Sequence, residues 1–211
     1  GASITKTMAK TRGGVRNPGP KGGTEGANDR NTTYKGSIKE LGGIRDIKDP
    51  VARRAVQEAV RQYSNTYGLP TREVKTAILS GVIGIGGDGR IVLNRQYYNN
   101  AERLLKLKRD AYKSGWSVPT NSPLRHTVIH ELAHASWQSS RVGANPKLTA
   151  GIRALYQRYK ADVRRGKNPI GKYAASNIDE FWAEGITQAT IGKKQSYYSR
   201  QLKRLLRKYG K

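Results

Sequence analysis

Apolar residues are scarce at the start of this chain and then return at helical spacing. Positions 1–43 are rich in Gly, Lys, Arg, Thr and Asn, with Pro18 and Pro20 among them. Such a stretch has too little apolar surface to offset the entropy of ordering it, so a flexible arm is expected, ordered only on a partner. Val51, Ala55, Val56, Ala59, Val60 and Tyr63 then form an apolar stripe, which predicts a helix over 49–67. Asp49 suits its cap and Pro50 its first turn, and Gly68-Leu69-Pro70 ends it. Positions 74–82 and 90–94 read as two strands of a hairpin, joined by a glycine-dense turn that includes Asp88-Gly89.

Helical spacing resumes over 99–114, where Ala101, Leu104, Leu105, Leu107 and Tyr112 lie among many cations before Gly115. Trp116 is expected to anchor the loop that follows. Ser122 and Pro123 open a helix over 124–139, a further helix covers 147–165, and a loop runs over 166–173. Ser176 or Asn177 can cap a helix over 178–190, with Asp179 and Glu180 in its first turn, and a last helix covers 197–209. There is no internal repeat. The pattern as a whole predicts an α+β fold, mostly helical, with a small β-sheet or hairpin and a flexible basic N-terminal arm. Gly84-Ile85-Gly86-Gly87-Asp88-Gly89 also satisfies GxGxxG, but the strand-like Ile91-Val92-Leu93 follows where a dinucleotide site requires a helix.

With 211 residues, the chain accommodates one domain with extensions. The expected organisation is a basic arm over 1–45, a central domain over 46–192 and a basic amphipathic helix over 193–211. No cysteine is present, so a metal must be held by nitrogen and oxygen ligands. No run of about 18 apolar residues exists and no signal-peptide core is visible, which predicts no transmembrane segment and leaves the compartment open.

Forty basic side chains against fifteen acidic ones give a formal charge of +25, so polyanions are attracted, nucleic acid foremost. In the last helix Tyr198, Leu202, Leu205, Leu206 and Tyr209 form an apolar stripe, and Arg200, Lys203, Arg204, Arg207 and Lys208 are expected to face outward toward a phosphate backbone. A membrane-surface helix has a similar pattern. No zinc-finger, homeodomain or RNA-binding signature occurs, so binding should be sequence-independent and salt-dependent.

The sharpest chemical signal is His130-Glu131-Leu132-Ala133-His134. In this HExxH arrangement two imidazoles lie one helical turn apart with a carboxylate beside them, the ligand pair of a zinc hydrolase. The third histidine, His126, lies one turn earlier and reads as a surface residue or one that supports a ligand. A hydrolytic zinc site needs a third protein ligand, and no histidine or cysteine follows His134. The acids downstream are Asp162, Asp179, Glu180 and Glu184, the last three on one predicted helix. Glu180 and Glu184 share a helix face, so one can bind metal while the other orients a ligand histidine. Glu184 at this spacing also fits an ordinary surface acid, and Tyr173 a packing tyrosine. Phe181 and Trp182 are expected to fill the core.

HELAH, followed by Tyr173 and by Asp179-Glu180-Phe181-Trp182-Ala183-Glu184, resembles the gluzincin-type zinc peptidase domain of anthrax lethal factor and related domains of phage head-associated and toxin proteins. The stretch Gly89 to Asn94 with Tyr97-Tyr98 resembles the strand that precedes the active-site helix there, so the likeness covers about positions 50–191. It implies a zincin-like metallopeptidase with Zn²⁺ on His130, His134 and Glu180, Glu184 supporting a ligand, and two catalytic residues. Glu131 serves as general base, and Tyr173 stabilises the transition state.

The function expected from this likeness is zinc-dependent endopeptidase activity on a protein or peptide substrate, in a phage-associated setting and near nucleic acid. Phage capsid or head-tail proteins are the implied partners, and the virion or the host cytoplasm the implied location. Two alternatives are a non-enzymatic basic virion or nucleic-acid-binding protein that retains a zincin fold, and a toxin metalloprotease.

Overall fold

The computed structural model describes residue 38 and residues 41–87, 90–137 and 143–210. Among these, seven α-helices and a three-stranded sheet form a mostly helical α+β fold. Helix α1 spans Pro50–Tyr67, and Asp49 caps it by accepting from the backbone N–H groups of Val51 and Ala52. Strands β1 (Glu73–Ala77), β2 (Gly84–Gly87) and β3 (Arg90–Asn94) are followed by the short α2 (Arg95–Tyr98) and by α3 (Ala101–Lys113). Then come α4 (Pro123–Trp137), α5 (Pro146–Arg164), α6 (Ile178–Ile191) and α7 (Tyr197–Tyr209). No described helix is long and apolar enough to cross a membrane.

Two expectations are corrected. The segment read as one strand over 74–82 is a strand only as far as Ala77, and it runs parallel to β3, with Val74 opposite Ile91 and Thr76 opposite Leu93. The antiparallel partner of β3 is β2, formed by the glycines assigned to the turn, with Gly84 opposite Leu93 and Gly86 opposite Ile91. Between β1 and β2 the chain is held by Asn94, whose side-chain amide donates to the carbonyls of Leu79 and Val82. The expected turn at Asp88-Gly89 lies outside the described residues. The second correction is Val51, placed on the apolar stripe but 59% exposed, because it lies about 100° around α1 from the fully buried Ala52, at the edge of the face that Ala52, Val56 and Ala59 turn to the core.

Most expected helix boundaries agree with the structure within two residues. Ser139, the expected end of the helix over 124–139, is outside the described residues, and so is the arm apart from Ile38 and residues 41–45. Of the latter, Gly42 pairs with Thr76 across a β-bridge.

Helices α4 and α6 form the centre. Every residue of α4 from His126 to Ser136 is buried, and so is most of α6, the pattern of helices enclosed on all sides. The Trp182 indole N–H on α6 donates to the Ala133 carbonyl on α4 at 2.8 Å, which fixes the two helices in register. Phe181 and Trp182 lie in the core, as expected. Helix α1, the sheet and α3 surround α4, whereas α5 and α7 cover α6. Tyr198, Leu202 and Leu206 of α7 are buried in the main core, so the basic C-terminal helix is packed into the same unit as the HELAH helix.

Candidate metal centre

Four polar side chains that carry charge or protons are buried between α4 and α6, where an isolated ion would cost several kcal/mol. Their spacing lets them satisfy one another. His130 and His134 point from adjacent turns of α4, and Glu180 and Glu184 from adjacent turns of α6. Nε2 of His134 lies 3.1 Å from Nε2 of His130 and 2.6 Å from Oε1 of Glu180, which is 3.2 Å from Nε2 of His130. All three residues are buried, and together they could hold a metal ion.

The donor set fits such an ion. Tetrahedral ligation with metal–nitrogen distances of about 2.0–2.1 Å separates ligand atoms by roughly 3.3 Å, close to two of the three distances here. Two imidazole nitrogens facing each other need either a proton or a cation between them. Oε2 of Glu180 is buried without a hydrogen-bond partner in the structure, which leaves it a lone pair for a cation.

Glu184 stands behind this trio. Its Oε2 is 2.8 Å from Nδ1 of His130 and 3.0 Å from Nε2 of His126, and its Oε1 accepts from the Ser117 hydroxyl at 2.5 Å. Holding Nδ1 fixes the ring of His130 and turns Nε2 toward Glu180 and His134. His126 is buried, and its Nδ1 is 2.9 Å from the Tyr112 hydroxyl, which also contacts Thr120.

The charges follow the geometry. Burial acts to lower the pKa of His130, but the hydrogen bonds and charges of Glu180 and Glu184 hold it well above the ordinary imidazole value. For Glu180 burial acts to raise the pKa, and the two imidazoles overcome this and depress it to about 2. Glu184 is likewise held well below the carboxylate range against its burial, mainly by His126 and then by His130.

Glu131 is fully buried on α4 between the two histidines. Its backbone lies against β2: a methyl group at position 86 would be 2.7 Å from the Glu131 carbonyl oxygen. Tyr173 is brought to the site by the loop before α4, where Trp116 and Gly115 carbonyls accept from the N–H groups of Tyr173 and Lys172. Gly171, with φ +109, permits this pairing, since a side chain there would strike the Trp116 carbonyl. The Tyr173 ring is buried and stacks on both His130, centroids 5.2 Å apart, and Trp116, at 4.8 Å.

The structure thus brings together His130, His134, Tyr173, Glu180 and Glu184, and buries Glu131 on the helix that carries the two histidines. Asp162 lies elsewhere, bonded to Tyr198 and Arg165. Of the basic set on α7, Arg200, Arg204, Arg207 and Lys208 are exposed and Lys203 is half-buried. Sequence reasoning missed Ser117, Tyr112 and the glycines of β2. Ser117 carries no signal in a single sequence, whereas the histidine row at 126, 130 and 134 did point to His126.

No protein-family model, curated protein or solved structure matches this chain.

Proposed function

We propose that the chain is a zinc-dependent endopeptidase of the gluzincin type, akin to the lethal factor-like domains that its HELAH and Glu180-Phe-Trp-Ala-Glu184 motifs resemble. The observation that carries this reading is the convergence of His130, His134 and Glu180, with Glu131 on the same helix between the two histidines. A zinc ion held by these three residues would polarise a substrate carbonyl and acidify water.

The remaining work falls to side chains of the protein. Glu131 takes a proton from the water that attacks the amide carbon, and passes it to the nitrogen as the C–N bond breaks. Tyr173 donates a hydrogen bond to the carbonyl oxygen as negative charge develops there, a contact stronger in the transition state than in the ground state. Glu184 keeps His130 in the tautomer and orientation that present Nε2. The likeness to phage head-associated domains makes a particle protein the proposed substrate class.

The test is cleavage of a mixed peptide library by zinc-loaded protein, with zinc measured by elemental mass spectrometry on the same samples. Wild type should carry about one zinc and cut the library. Glu131→Gln should keep the zinc and lose roughly 10²–10⁴-fold in rate, the usual worth of a general base. Cleavage undiminished in Glu131→Gln would overturn the assignment.

A further inference from the structure

Helices α5 and α7 lie antiparallel and in contact along their lengths. Asn145, which caps α5, donates to the carbonyl of Tyr209 at the far end of α7. Midway, Gly151 permits close approach, since a methyl group there would be 3.0 Å from the Leu205 side chain. At the other end the Arg158 guanidinium lies 4.5 Å over the Tyr197 ring and donates to its hydroxyl. Each helix carries five Lys or Arg residues, and the only acid on either is Asp162. That acid is bonded to the Tyr198 hydroxyl and paired with Arg165 at 2.9 Å, so it does little to offset the field. Lys147 and Arg153 of α5 and Arg200, Arg204, Arg207 and Lys208 of α7 are all exposed.

We infer that the paired α5–α7 surface is a binding site for the phosphodiester backbone of a nucleic acid, a function separate from the metal centre. The thirteen residues of α7 and nineteen of α5 give a face of about 20–28 Å, enough to follow roughly six to eight base pairs. A membrane surface is the poorer occupant. Interfacial helices insert an apolar face, but Tyr198, Leu202 and Leu206 of α7 are already buried in the core. The cations also differ in distribution from those elsewhere: α1 carries Glu58, and α3 carries Glu102 and Asp110, among their basic residues. Contacts to phosphate alone read no sequence, so this surface binds without base preference.

The test uses the full chain and a fluorescent DNA duplex of about 20 base pairs, titrated at several salt concentrations. One variant is Arg200→Ala/Arg204→Ala/Arg207→Ala/Lys208→Ala. The control removes four exposed cations elsewhere, Arg54→Ala/Arg61→Ala/Lys106→Ala/Arg109→Ala, for the same change in net charge. The α7 variant should bind at least tenfold more weakly, and its slope of log affinity against log salt should flatten by about 3–4, as each lost phosphate contact contributes about 0.9. The control should keep nearly the wild-type slope. Circular dichroism on both variants confirms that the fold is retained. Equal losses in the two variants would reduce the effect to net charge and overturn the site. So would wild-type binding that is insensitive to salt, or tighter binding to phosphatidylserine vesicles than to the duplex.

Discussion

Nδ1 of His130 lies 2.8 Å from Oε2 of Glu184, and the same oxygen lies 3.0 Å from Nε2 of His126. One carboxylate oxygen therefore joins an imidazole of the candidate metal centre to a second, buried one. Removing Glu184 would release the His130 ring and leave two buried imidazoles without their acceptor. Glu184→Ala should weaken metal affinity about 10–100-fold, the usual effect of losing a group that orients a ligand. His126→Ala, one bond further out, should have a smaller effect in the same direction. Competition with a chromophoric chelator measures both; an affinity unchanged in Glu184→Ala would show that Glu184 does not orient the ligand.

Metal uptake should release protons. In the metal-free protein His130 is held protonated above its ordinary value of 6.5, while Glu180 is ionised down to about 2. A bound cation requires the neutral imidazole, so close to one proton should leave per metal at neutral pH. The sign for stability follows. His130, with a raised folded pKa, stabilises the metal-free fold fully below pH 6.5, and this is lost as pH rises through the raised value. Glu180, with a depressed pKa, stabilises above pH 4.5, and this is lost as pH falls toward 2. Titration calorimetry in buffers of different ionisation enthalpy counts the protons; no release would contradict this charge state.

Gly86 is a packing requirement rather than a turn. A β-carbon there would be 2.7 Å from the Glu131 carbonyl oxygen, whereas one at Gly84 would meet its nearest neighbours at 3.3 Å. Gly86→Ala should therefore push β2 away from α4 and cost about 1–3 kcal/mol, with Gly84→Ala milder. Because the displaced backbone lies between His130 and His134 of the candidate metal centre, metal affinity should fall with it. Urea unfolding with and without metal would show this; equal midpoints for the two variants would refute the contact.

This pair of glycines also shows where sequence reading stops. The i, i+4 repeats of HELAH and of Glu180 and Glu184 are local, so the helix faces that carry the candidate site could be read directly from spacing. Scarcity helped too, because few acids follow His134. The glycine run suggested a turn through its conformational freedom, yet neither Gly84 nor Gly86 adopts a positive φ; what is used there is their small size against a helix over forty positions away. The burial of His126 likewise depends on Glu184, 58 positions later, which local spacing does not report. Parallel pairing of β1 with β3 follows from the insertion of β2 at the opposite edge of β3, a tertiary choice that two neighbouring apolar runs do not distinguish from a hairpin.

Asp49 joins two helix starts, and its removal should be felt at both. Its carboxylate accepts from Val51 and Ala52 at the start of α1 and, at 2.8 Å, from the N–H of Ala101, the first residue of α3. The bond from Ala101, with those from α1, holds its pKa below the ordinary value of 3.8. Losing one helix cap costs about 0.5–2 kcal/mol, so Asp49→Ala should fall at the upper end of that range near neutral pH. A depressed folded pKa means that the ionised form's contribution is present above pH 3.8 and is lost as pH falls through the folded value. The difference between wild type and Asp49→Ala should therefore shrink on acidification. Asp49→Asn, which caps without charge, should lie between them at neutral pH and show less of this dependence. Urea midpoints across this pH range test the account. A wild-type advantage over Asp49→Ala that stays constant into acid would mean that the carboxylate's charge plays no part in holding α1 to α3.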